Sequence, residues 1–150
     1  MEGSRNKMKE MIAFTDGKYS FSKKICSYGC TAADKSEIEK NEKKRLMICR
    51  KTFEDGYAMK EYTGQMKAIL TAISFAVRQH YDGVIVYTPC SSFEHWYNGD
   101  WAAETRFAQE YLNRLYEMRK QIRLQVRSKV PSSYCVYMER TEKMAKEILN

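Results

Sequence analysis

Apolar positions along the chain fall into short runs and helical stripes in alternation. Met11-Ile12-Ala13-Phe14-Thr15 is an apolar run stopped by Asp16-Gly17, which predicts a strand ending in a turn. Ile25 to Thr31 predicts a second strand. Residues 33–45 carry nine charges and little that is apolar, the composition of a solvated hairpin tip. Strand character resumes at Leu46-Met47-Ile48-Cys49 and runs to about Phe53, before Glu54-Asp55-Gly56 turns the chain. From an N-cap at Thr63, the residues Met66, Ile69, Leu70, Ile73, Ala76 and Val77 recur at helical spacing as far as His80. Asp82-Gly83 breaks that stripe. Val84-Ile85-Val86-Tyr87 is then the continuous apolar run of a strand covered on both faces, and Pro89 stops it. A short helix is expected over 92–97 and a longer one over 104–119, with Phe107, Tyr111, Leu112 and Leu115 as its buried stripe. Ile122, Leu124 and Val126 alternate with Arg123, Gln125 and Arg127, a half-buried strand, and a last helix spans 136–149.

Three strands joined by short connections make an antiparallel meander, and the strands that follow helices can join it in parallel through right-handed crossovers. The expectation is an α/β domain with a mixed five-stranded sheet and helices on both faces. At 150 residues and 17.7 kDa there is room for one domain, read here as 11–150 behind a loose segment 1–10.

The charge balance narrows the class of partner. Lys and Arg number 26 against 19 Asp and Glu, a net charge of +7, which favours polyanions and nucleic acid above all. The five cysteines are scattered without a CxxC pair, and neither His80 nor His95 sits near a cysteine cluster, so they read as buried or idle thiols in a reducing compartment. No apolar run approaches the roughly 18 residues of a membrane span. Residues 1–11 also lack the apolar core of a signal peptide. A cytoplasmic protein with no membrane partner is expected.

Several local motifs, in order, resemble the ribonuclease H family over nearly the whole chain from residue 11. Phe14-Thr15-Asp16-Gly17-Lys18-Tyr19 is similar to its opening strand, and Ser27-Tyr28-Gly29 to its second. Thr63-Gly64-Gln65-Met66-Lys67-Ala68 falls where the central helix carries a glutamate, and Tyr81-Asp82-Gly83 leads in as the fourth strand does. Phe93-Glu94-His95-Trp96 with Gly99-Asp100-Trp101 resembles the connection of bacterial and viral members, and Glu142-Lys143-Met144-Ala145-Lys146 the final helix. The resemblance implies the ribonuclease H-like fold and, for the family, two-metal hydrolysis of the RNA strand of an RNA–DNA hybrid.

Four carboxylates carry that chemistry in the family, because Mg²⁺ is a hard cation that takes oxygen ligands. On this chain the resemblance assigns those positions to Asp16, Gln65, Pro89 and Glu142. An amide brings an oxygen without charge, and proline brings no side-chain ligand. Two divalent ions 4 Å apart repel by roughly 16 kcal/mol at an effective dielectric of 20, and two carboxylates are too few to offset that. Asp16 and Glu142 are therefore expected to hold at most one weakly bound Mg²⁺ or Mn²⁺. Glu61, Asp55 and Glu94 are candidates to move inward as replacements; otherwise Glu61 and Asp55 are solvated loop charges and Glu94 faces water. The loop at 130–134 also lacks the histidine that assists product release in the family.

A nucleic-acid surface does not depend on those ligands, since hybrid and double-stranded RNA are read through the minor groove and phosphates. The resemblance puts Gly17, Lys18, Tyr19, Thr63, Gly64 and Gln65 at that groove. Arg119, Lys120, Arg123 and Arg127 form a separate basic cluster, with Arg123 and Arg127 on one strand face as a phosphate track. The alternative for Arg119 and Lys120 is to complement the dipole of their own helix. Tyr134 and Tyr137 are the aromatic candidates for stacking on bases. Together these readings predict a catalytically degenerate ribonuclease H-like domain that needs no cofactor and binds RNA, an RNA–DNA hybrid or a protein partner. The rival is an active Mg²⁺- or Mn²⁺-dependent ribonuclease H with rearranged ligands.

Overall fold

The computed structural model describes residues 8–40 and 47–150. Five strands, β1 (Glu10–Ser20), β2 (Ile25–Asp34), β3 (Met47–Glu54), β4 (Gly83–Tyr87) and β5 (Arg123–Arg127), form one sheet in the order β3-β2-β1-β4-β5. β1, β2 and β3 pair antiparallel, and β4 and β5 add in parallel. Among the described residues five α-helices complete the fold: α1 (Lys35–Glu39), α2 (Glu61–Arg78), α3 (Ser91–Asn98), α4 (Arg106–Met118) and α5 (Cys135–Glu147). The mixed sheet and its strand directions match the expectation from the hydrophobic pattern.

β1 is apolar on both sides, which makes it the centre of the molecule. Met11 and Ala13 face a large core built with Ile69, Ile73, Phe93, Phe107, Tyr111 and Leu115 from α2, α3 and α4. Ile12 and Phe14 face a smaller core with Ile85 and Tyr87, closed by Tyr134, Tyr137 and Met138. The period of two along a strand produces this division. α5 reaches the sheet where β2 carries small residues. Ser27 Oγ donates to the Ala145 carbonyl at 2.6 Å, and Thr31 Oγ1 lies 2.8 Å from Thr141 Oγ1. Between them, a Cβ on Gly29 would stand 2.8 Å from the Thr141 carbonyl oxygen, so only glycine lets the helix lie so close.

Three boundaries differ from the sequence reading. β1 does not stop at Asp16-Gly17 but continues to Ser20, because Gly17 pairs with Tyr28 and Lys18 with Ser27. Within the charged segment 33–45, β2 runs to Asp34 and α1 follows. Asp34 caps that helix by accepting from the Ser36 amide at 2.9 Å, and Ile38 is buried against the smaller core. The rest of that segment and Leu46 lie outside the described residues, as do residues 1–7. Thr63 is not the N-cap of α2, which starts two residues earlier, at Glu61. The loop that leads into that helix is held by Asp55, whose carboxylate accepts from the amides of Tyr57 (3.2 Å), Met59 (3.2 Å) and Lys60 (2.6 Å) and from Thr63 Oγ1 (2.7 Å). Asp55 is therefore a half-buried organiser of the loop before α2 and not a solvated loop charge. Among the described residues, no helix is long and apolar enough to cross a membrane.

Candidate functional site

β1 brings Asp16, Gly17 and Lys18 to the place where α2 and α5 flank opposite faces of the sheet. On the α2 side the backbones nearly touch. A Cβ on Gly17 would lie 2.1 Å from the Gln65 amide nitrogen, and one on Gly64 would lie 2.3 Å from the Ser27 carbonyl oxygen. This pair of glycines sets the first turn of α2 against the end of β1, and Gln65 is buried there. Its side-chain Oε1 is buried without a hydrogen-bond partner, an aimed acceptor that costs free energy unless something donates to it.

On the α5 side, Asp16 and Lys18 are two residues apart on one strand and so share a face. Asp16 is only 2% exposed, and its Oδ1 accepts from the Gly17 amide at 2.8 Å. Lys18 Nζ lies 3.4 Å from Asp16 Oδ2 and 3.6 Å from Glu142 Oε1, and Lys146 Nζ lies 3.8 Å from the same Glu142 oxygen. The ammonium of Lys18 thus bridges the two carboxylates. Burial pushes the Asp16 carboxyl above the ordinary carboxylate range. Lys18 and the Gly17 amide offset part of that rise, and the charge of Glu142 adds to it.

Pro89 is exposed, two residues beyond the last paired couple of β1 and β4, Phe14 with Tyr87, and Asp16 stands at the same remove on β1. Among the described residues no three Asp, Glu, His or Cys side chains come together as an ion-binding group. With an ammonium between the two carboxylates that do meet, this arrangement does not fit a pair of divalent ions.

Solved structures share this architecture end to end. Ribonuclease H1 of the halophilic archaeon Halobacterium salinarum superposes with a TM-score of 0.71 at 14% identity, covering 93% of this chain and 97% of that one. The N-terminal ribonuclease H domain of a Mycobacterium tuberculosis protein gives 0.68 at 12% identity, with coverage of 93% and 95%. LC11 ribonuclease H1, solved in complex with an RNA/DNA hybrid, gives 0.67 at 11% identity, with coverage of 93% and 99%. The chain has the ribonuclease H fold. No protein-family model matches its sequence and no curated protein matches it, so the likeness to ribonuclease H is one of fold.

Within that fold, the remaining sequence-predicted residues divide clearly. Tyr19 flanks the cleft, on an open cavity of ≈ 560 Å³ lined also by Lys18, Lys23 and Lys146. Lys23 donates to the Leu149 carbonyl at 2.5 Å, which ties the β1–β2 turn to the chain beyond α5. Thr63 is buried with its hydroxyl committed to Asp55. The basic cluster is not gathered at the cleft. Arg119 packs over the Tyr116 ring at 4.4 Å, and Lys120 pairs with Glu117 at 3.0 Å. Arg123 pairs with Glu10 at 3.4 Å, at the end of the sheet opposite Asp16; Arg127, bonded to Gln125, is at the near end beside Tyr87.

Tyr134 and Tyr137 are packing residues. Both are half-buried, and their rings stand 5.8 and 5.4 Å from that of Phe14 under α5. Glu94 does not face water: its Oε1 accepts from the Ser128 amide at 2.5 Å and from Ser128 Oγ at 3.2 Å. Of the three acids considered as replacements, Asp55 and Glu94 are held by these partners, and Glu61 is exposed at the start of α2. What sequence reasoning missed is the pairing of Lys18 with both carboxylates. Its signal was the Asp16–Lys18 spacing, legible only once β1 is carried past Gly17.

Proposed function

We propose that this protein is a ribonuclease H-fold domain that binds RNA-containing duplexes across the Asp16 cleft and does not hydrolyse them. One observation carries the reading: Lys18 Nζ, 3.4 Å from Asp16 and 3.6 Å from Glu142, neutralises from within the chain the charge that divalent ions neutralise in a two-metal hydrolase. A duplex phosphate approaching this cleft meets the ammonium groups of Lys18, Lys23 and Lys146 around the open cavity. Gln65 and Tyr19 supply polar contacts to the sugar edge of the minor groove. The likeness to LC11 ribonuclease H1, solved with an RNA/DNA hybrid, and the net charge of +7 support the same class of ligand.

The test is fluorescence anisotropy with a labelled RNA–DNA hybrid, titrated in chelator and again in Mg²⁺. Binding of equal strength in both, weakening steeply with salt, is expected. Binding that requires Mg²⁺, or an absence of binding, contradicts the proposal.

A further inference from the structure

A second basic surface lies away from the Asp16 cleft. A groove of ≈ 440 Å³ runs between the edge strand β3, the outer face of α2 and the end of α4, and four of its lining residues are cations: Lys51, Lys67, Arg78 and Arg114. No carboxylate lines it, and none of the four forms an ion pair with an acid among the described residues. The nearby acid, Glu110, is bonded to Tyr57 and to Arg106 at 3.0 Å and lies within charge range of Arg114, which leaves Lys51, Lys67 and Arg78 without a nearby acid among the groove's lining. Unpaired like charges side by side repel one another, so such a groove is relieved by an anionic occupant.

We infer that this groove is a phosphate-binding track for the backbone of the same nucleic acid that occupies the cleft. Lys67, Thr71 and Arg78 lie at i, i+4 and i+11 on α2, a single stripe whose ends are separated by roughly 16 Å of helix rise. That length corresponds to about five phosphates of one duplex strand at 3.4 Å each along the axis. Lys67 lies two residues beyond Gln65, so the groove begins within one helical turn of the cleft. Two of the four cations are arginines, whose planar fork suits phosphate oxygens. Lys67 extends over the Phe53 ring at 5.4 Å, which holds its ammonium beside β3.

This assignment rests on the nucleic-acid reading above, and the experiment separates the two. A variant with Lys51, Lys67, Arg78 and Arg114 all changed to Gln is compared with the wild type and with a charge-matched control in which Lys40, Lys129, Arg140 and Lys143 are changed to Gln. Hybrid binding is followed by anisotropy over a salt series. The groove variant should bind at least about ten-fold more weakly, and its slope of log affinity against log salt should be shallower by up to about 3.6, near 0.9 per lost phosphate contact. The control should lose much less.

Cys49, which also lines the groove, gives an independent reading. Its modification by N-ethylmaleimide should slow several-fold in the hybrid complex, while that of exposed Cys135 should not. If the wild type binds no hybrid, both readings fail. Equal losses in groove variant and control, or Cys49 unprotected in a formed complex, overturn the groove alone. So does a groove variant that loses affinity for polyglutamate but not for the hybrid, which would make the surface a site for an acidic protein.

Discussion

Lys18 decides the character of the cleft at the scale of single residues. Its ammonium stands between Asp16 and Glu142, where a divalent ion would otherwise find two carboxylates. Lys18→Ala therefore opens that position, and Mn²⁺ titration followed by electron paramagnetic resonance should show the variant binding one ion at least about ten-fold more tightly than the wild type. Equal Mn²⁺ affinity in the two proteins would mean that the ammonium does not guard the carboxylates. Gly17 makes a different prediction, since a methyl group there meets the Gln65 amide nitrogen at 2.1 Å and Gly64 carbon atoms at 2.3 and 2.7 Å. Those contacts are backbone and cannot swing aside, so Gly17→Ala should cost at least the upper end of the roughly 1–3 kcal/mol typical of overpacking, measured by denaturant unfolding. The elements that carry Asp16, Gln65 and Glu142, namely the first strand, the central helix and the final helix, were legible in the sequence. The electrostatic setting of these residues was not, because it depends on β1 running past an Asp-Gly pair that by itself reads as a turn.

Elements set by their own periodicity were the legible ones. β4 is apolar at every position and lies between β1 and β5, and α4 presents Phe107, Tyr111 and Leu115 at helical spacing to the larger core. α1 was hidden by its charges, since Ile38 is its one buried residue. The start of α2 was hidden because its N-cap is Lys60, which makes no side-chain cap bond and is not a residue type that signals a helix start. Asp55 reaches forward to three amides and the Thr63 hydroxyl, while Lys60 takes a left-handed φ of 57° to begin the helix. Asp55→Ala should destabilise the protein by about 1.5–3 kcal/mol at neutral pH, the range for losing hydrogen bonds to a charged group. Partial burial raises the Asp55 carboxyl, but the hydrogen bonds from Thr63, Lys60, Met59 and Tyr57 outweigh it and hold the group below its ordinary range. A lowered carboxylate stabilises fully above its unfolded value of about 3.9 and progressively less as pH falls through the lower folded value. The gap between wild type and Asp55→Ala, read from thermal melts, should accordingly be widest near neutrality and close in acid. A gap that is constant with pH would assign the loss to packing instead.

The architecture of the whole molecule was legible because it follows from element order: a three-strand meander, then strands entering after helices, admits few compact solutions. The distribution of charge over the folded surface was less so. Arg119, Lys120 and Arg123 stand together in sequence, yet each finds a partner of its own, whereas Lys51, Lys67, Arg78 and Arg114 are far apart in sequence and meet in one groove. Only the tertiary packing of β3, α2 and α4 assembles them. The proposal that the Lys18 ammonium serves in place of exchangeable ions leads to one central expectation, that this protein holds a hybrid and leaves it whole. Its most direct test is a cleavage assay with protein in excess over an end-labelled RNA–DNA hybrid in saturating Mn²⁺, run beside the Asp16→Asn variant. The RNA strand should remain full length in both reactions; cleavage by the wild type that Asp16→Asn abolishes would contradict the account.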